Sequence, residues 1–143
     1  MEHVSRVVGA DQLEEMVAQC DFVVAALPLT KDTECIIGEP VLRAMRPTAY
    51  FVNISRGGVV DEEALIRALR EGWIAGAGLD VFRQEPLPPE SPFYSMPNVI
   101  LTPHISGASA AYDDRATEMF AENLRRYLAG EPLLNLVDRQ RGY

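Results

Sequence analysis

A chain of 143 residues with 48% hydrophobic and 24% charged residues has the size and composition of one globular domain able to bury a core. Its net charge of −8 and pI near 4.7 exclude a nucleic-acid or anionic-membrane binder that works through bulk positive charge. Cys20 and Cys35 stand apart, without C-x-x-C spacing or a nearby histidine, which suits reduced thiols in a cytoplasmic protein and no metal site.

In chain order, residues 4–9 form a short apolar piece of strand length. Asp11 is a candidate N-cap with Glu14 three residues on, and Leu13, Met16 and Val17 mark one face of a helix that ends near Cys20. Residues 21–27, D-F-V-V-A-A-L, are an almost continuous apolar run, which predicts a strand covered on both faces and stopped by Pro28. Broken helical structure follows over 33–45, interrupted at Gly38 and Pro40, and a second strand over 49–54. Ser55-Arg56-Gly57-Gly58 breaks that strand. The clearest helix signal begins at Asp61, with acids in its first turn, an apolar stripe of Leu65, Ile66 and Leu69, and a stop at Gly72.

Residues 73–81 predict a third strand, rich enough in small residues for a backbone or a flat ligand to approach closely. Five prolines make 82–97 an irregular loop before a fourth strand over 98–102. A long helix follows, ending near Gly130, with Tyr112, Ala116, Met119, Phe120, Leu124 and Tyr127 as its apolar stripe, and the tail over 131–143 is expected to dock on a neighbour or a partner. Strands alternating with helices predict an α/β fold with a parallel sheet and right-handed crossovers, in one domain without internal repeats.

Arg56, Glu85 and His104 each follow a strand, so a parallel sheet would bring them to one edge, where open α/β sheets hold their ligands. Singly, each has an ordinary reading as a solvated or structural loop residue. Together they form a chemical set. Arginine grips a planar carboxylate with two hydrogen bonds, histidine exchanges protons near neutral pH, and a carboxylate beside it would orient the ring.

Residues 45–61, M-R-P-T-A-Y-F-V-N-I-S-R-G-G-V-V-D, resemble the signature of the D-isomer-specific 2-hydroxyacid dehydrogenases. The likeness continues through L-P-L-T-K-D-T at 27–33, G-L-D-V-F-R-Q-E-P-L at 78–87 and T-P-H-I-S-G at 102–107. The resemblance implies an NAD- or NADP-dependent hydride transfer with a 2-keto or D-2-hydroxy acid. Arg56 would bind the substrate carboxylate, His104 would act as acid and base, and Glu85 would pair with His104. Leu27, Pro28, Thr33, Ile54, Ser55, Arg56, Asp80, His104 and Gly107 would line the nicotinamide half of the cofactor site. The family also implies a cofactor domain that forms a homodimer.

The sequence departs from the family in lacking the G-x-G-x-x-G turn that takes the pyrophosphate, and the substrate domain. The expected fold is therefore a partial Rossmann-like, doubly wound parallel sheet, the second half of a dinucleotide-binding domain. In that order the strand at 21–27 is left at an edge, so either self-association covers it or residues 1–9 rearrange. The alternative function is a catalytically silent module that self-associates or binds a partner.

Overall fold

The computed structural model describes residues 3–143 and divides them into two compact units, one ending at His104 and one from Ile105 to Tyr143. The first unit is built on four short strands, β1 (Phe22–Ala25), β2 (Tyr50–Asn53), β3 (Gly76–Leu79) and β4 (Val99–Leu101). They form one parallel sheet in the order β1-β2-β3-β4, in which Ala25, Asn53, Leu79 and Leu101 lie side by side.

Helices α1 (Leu13–Val17), α2 (Glu39–Ala44) and α3 (Glu62–Glu71) pack in sequence, α1 on α2 and α2 on α3. The core includes one face of the sheet, from which Val23, Ala25, Phe51, Ala77 and Leu79 are buried, and the inner sides of α2 and α3, from which Leu42, Leu65, Ala68 and Leu69 are buried. Each large apolar side chain fully removed from water contributes about 1.5–3 kcal/mol. α3 forms where the sequence predicts it. The Asp61 carboxylate caps it by accepting from the Ala64 N–H at 3.1 Å, and Gly72, at φ +72°, ends it in the left-handed conformation.

The opposite face is open, which corrects the expectation of a strand covered on both sides. Phe22 and Val24 are 67% and 55% exposed, and Tyr50 and Ile100 share that face. An apolar run shows that both faces suit burial; it does not say where a second layer comes from. Phe22 and Tyr50 stack on each other, ring centroids 5.7 Å apart.

Three further expectations change. Residues 4–9 form no strand, and Val4 and Val7 are exposed; a lone extended segment gains its hydrogen bonds only beside a partner strand, and β1 is an edge. Met1 and Glu2 lie outside the described residues. Asp11 is not an N-cap, because a 3-10 turn over Ala10–Gln12 opens on Gly9 and leads directly into α1. Each strand is shorter than its apolar run, since the run continues into the turns that leave the sheet. The small residues of β3 do permit close approach: a Cβ at Gly76 would stand 2.5 Å from the Asn98 carbonyl oxygen.

The second unit contains α4 (Tyr112–Ala129), ended by Gly130 at φ +69°, and the tail. None of its residues is buried. The tail folds back on α4 through Asn123, whose Oδ1 accepts from the Leu134 N–H at 2.7 Å and whose Nδ2 donates to the Leu134 carbonyl at 3.3 Å. Arg125 adds an ion pair to Glu131 at 2.8 Å.

Candidate functional site

The main-chain ladder runs on past the ends of the strands. The Ile54 N–H donates to the Ala25 carbonyl, Asp80 N–H to Asn53, Thr102 N–H to Leu79 and His104 N–H to Asp80, at 3.2, 3.0, 3.0 and 2.8 Å. All four strand ends are thus tied into one edge, the C-terminal edge of the parallel sheet.

On that edge Glu85 and His104 meet. The Glu85 Oε2 lies 2.7 Å from His104 Nδ1, and Oε1 accepts from the Phe82 N–H at 2.9 Å. The His104 hydrogen bond, then that from the Phe82 backbone, holds the Glu85 carboxyl below the usual carboxylate range, and the charge of Arg56 adds to the effect. An ionised carboxylate only accepts, so the proton of this bond sits on Nδ1 and Nε2 is the ring atom left for other chemistry. His104 itself has φ +54°, a left-handed backbone that histidine adopts more readily than most side chains.

Arg56 and Glu85 line one cleft of about 330 Å3, together with Leu29, Gly57, Gly58 and Phe82. Glu85 and His104 line a second, about 590 Å3, with Leu87, Tyr94 and Leu101 among its walls. Both volumes fall within the roughly 300–1,000 Å3 of small-molecule sites. Glu85 is common to the two. Arg56 is exposed, its Nη1 donating to the Ser55 carbonyl at 2.7 Å.

Gly57 makes this convergence possible. A Cβ there would run into the Phe82 carbonyl group and the Arg83 nitrogen, so only glycine lets the turn after β2 lie against the loop that carries Glu85. Gly57-Gly58 lacks the third glycine of a phosphate loop, and its close-packing role becomes visible only when the two loops are seen together.

The other expected residues fall as follows. Ile54 is 43% exposed at the end of β2. Ser55 is buried, its hydroxyl 2.8 Å from Asn53 Oδ1, and Asp80 is buried, its carboxylate accepting from the Thr102 hydroxyl at 2.5 Å. Leu27 and Pro28 follow β1, and the Thr33 hydroxyl closes their loop by donating to the Pro28 carbonyl at 2.7 Å. Gly107 belongs to the second unit, with open space where a Cβ would stand. Sequence reasoning misses Asn53 and Thr102; both are polar residues at strand ends, a signal that also marks ordinary turns.

Residues 2–106 match the family described as D-isomer specific 2-hydroxyacid dehydrogenase, NAD binding domain. The chain is 52% identical over 128 residues to a glyoxylate reductase of Korarchaeum cryptofilum, covering 90% of the chain but 39% of that relative. It is 53% identical to the glyoxylate reductase of Thermococcus gammatolerans, covering 38% of it. Among solved structures, a D-isomer specific 2-hydroxyacid dehydrogenase from Xanthobacter autotrophicus, in complex with NADPH and MES, superposes with a TM-score of 0.92 at 45% identity over 100% of this chain and 58% of that one. An NADPH-dependent glyoxylate/hydroxypyruvate reductase from Sinorhizobium meliloti, in complex with NADP and sulfate, gives 0.87 at 33% identity, over 99% and 48%. The chain thus spans well under half the length of the curated relatives it matches. A four-stranded parallel sheet with an arginine, a glutamate and a histidine at its C-terminal edge, matched along residues 2–106, belongs to the NAD-binding domain of the D-isomer specific 2-hydroxyacid dehydrogenases.

Proposed function

We propose that this chain carries the carboxylate-binding and proton-transfer residues of an oxidoreductase that moves a hydride between NAD(P)H and a small 2-keto or D-2-hydroxy acid, glyoxylate and hydroxypyruvate being the substrate class. The observation that carries the reading is the 2.7 Å pair of Glu85 with His104 on the edge that also bears Arg56. Relatives named glyoxylate reductase support it.

In this reading Arg56 leaves the Ser55 carbonyl to take the substrate carboxylate, a partner of opposite charge and matching planar geometry. Glu85 holds Nδ1–H, so Nε2 of His104 points its proton at the substrate oxygen in reduction and recovers it in oxidation. The strand-end residues suit the nicotinamide half of a cofactor: exposed Ile54 offers apolar surface to a flat ring, and buried Asp80, just after β3, ties down the Thr102 hydroxyl at the end of β4. Leu27, Pro28, Thr33 and Ser55 complete that set. The sequence has no G-x-G-x-x-G turn, so none of its residues is assigned to the pyrophosphate. A bound reduced nicotinamide would supply the hydride.

The test is glyoxylate reduction by NADH or NADPH in the intact protein, followed by loss of the reduced-nicotinamide absorbance. His104→Gln should lower turnover by about a hundredfold or more. Arg56→Lys, which keeps charge but loses the two-pronged geometry, should raise KM for glyoxylate by about tenfold or more. Unchanged turnover in His104→Gln overturns the assignment.

A second reading, a homo-oligomer that need not be catalytic, is favoured by one observation: the apolar open face formed by Phe22, Val24, Tyr50 and Ile100, beside the unpaired edge of β1. Light scattering with and without NADPH separates the two, since an oligomer indifferent to cofactor favours the module. A cytoplasmic setting is in keeping with the two free cysteines, and no helix among the described residues is long and apolar enough to cross a membrane.

A further inference from the structure

Asn53 is the last residue of β2 and is 2% exposed. Its side chain spans the turn that follows. Oδ1 accepts from the Ser55 N–H at 3.1 Å and lies 2.8 Å from the Ser55 hydroxyl, while Nδ2 donates to the Arg56 carbonyl at 3.2 Å. Its main-chain carbonyl accepts from the Asp80 N–H, so the same residue ties the Arg56 turn to the end of β3.

The chemistry of its neighbours dictates the orientation of the amide. A backbone N–H only donates and a backbone carbonyl only accepts, so oxygen must face Ser55 and nitrogen must face Arg56. A flipped amide would place two donors against each other at one end and two acceptors at the other. Apolar side chains leave the buried Ser55 groups unpaired, at a cost typical of unsatisfied polar atoms. Aspartate keeps the acceptor end and turns the donor end into an oxygen against an oxygen.

We propose that Asn53 is the positioning residue for Arg56: its amide, read by Ser55 at one end and by the Arg56 carbonyl at the other, fixes the backbone from which the guanidinium reaches the site. Local asparagine-to-backbone bonds commonly shape a turn. Here the turn carries an arginine that shares a cleft wall with Glu85 at the strand end, where its direction decides what it can grip. The functional importance of the turn rests on the reading that Arg56 holds the substrate carboxylate.

The experiment is 1H–15N NMR of the chain and of its Asn53→Asp and Asn53→Ala variants, reading amide exchange and the Arg56 Nε–H resonance, with oxalate as the carboxylate probe. In Asn53→Asp the Ser55 amide should stay protected while the Arg56 Nε–H resonance moves and broadens. In Asn53→Ala, Ser55 amide exchange should quicken by about tenfold or more. In at least the aspartate variant the β2 amides of Phe51 and Val52 should exchange as in the parent. Wild-type behaviour of Ser55 and Arg56 in both variants overturns the proposal. So does fast exchange throughout β2 in both, which would make Asn53 a strand-end residue of purely structural importance. Oxalate separates this from the underlying reading. An Arg56 resonance that ignores oxalate in the parent, with the variants still loosening the turn, removes the carboxylate role and leaves the positioning role standing.

Discussion

The Glu85 carboxylate is held from two sides, by Nδ1 of His104 at 2.7 Å and by the Phe82 N–H at 2.9 Å. One oxygen anchors the loop after β3 to itself; the other fixes the imidazole that follows β4. Because the carboxyl's pKa is lowered, the group contributes stability that is fully present above its ordinary value near 4.5 and is lost as pH falls through the folded value. Glu85→Gln should therefore flatten the acid limb of stability below about pH 4.5, measured as urea midpoint against pH. In catalysis it should lower turnover by about tenfold or more while leaving KM for glyoxylate nearly unchanged.

Gly57→Ala should destabilise the chain by about 3 kcal/mol, near the upper end for forcing extra atoms into a packed contact, because the new methyl would meet backbone at Phe82 and Arg83 rather than a side chain that can move. Gly72→Ala is the control. Nothing lies within 4 Å of its Cβ, so only the left-handed backbone at φ +72° opposes it, by about 1–2 kcal/mol. Urea unfolding of the two variants should separate steric cost from conformational cost.

Near the end of α4, Glu122 pairs with Arg125 at 3.0 Å and Arg126 at 2.7 Å, and their hydrogen bonds lower its carboxyl pKa to about 2. The pairing should persist through mild acid and break as pH falls through about 2, while the stability it contributes declines from about pH 4.5, the ordinary value, downward. Carboxyl 13C titration by NMR checks this. A Glu122 midpoint at the ordinary value would show the pairs are not maintained in water.

Phe22→Lys combined with Val24→Lys should abolish self-association, since lysines on the open face beside β1 would set like charges against each other across any contact between copies. Light scattering of parent and variant at equal concentration measures it. A parent that is monomeric at all concentrations would sink the homo-oligomer reading.

Much of the strand-end edge is legible in the residues themselves. Strands punctuated by Arg56, Glu85-Pro86 and Pro103-His104 place all three at a common edge, because a parallel sheet has only one C-terminal side. The open face of β1 is not legible, since the run at 21–27 looks the same whether one layer or two will cover it. Nor are residues 4–9, whose strand character depends on a neighbour and not on their own side chains. Asn53 reads in the sequence as one more polar residue within an apolar strand. Its importance lies in three hydrogen bonds of defined polarity, and spacing along the chain cannot express which end of an amide faces which partner.

On the proposed reading, the left-handed backbone of His104 sets folding against reaction at one position. That conformation costs an ordinary side chain about 1–2 kcal/mol, and histidine less than most. His104→Gly would relieve this at the loss of the bond to Glu85 and with a freer unfolded chain, while the Phe82 N–H keeps its own bond to Glu85. If the imidazole moves the proton, as proposed, a selection for turnover keeps histidine at a backbone that glycine adopts more freely.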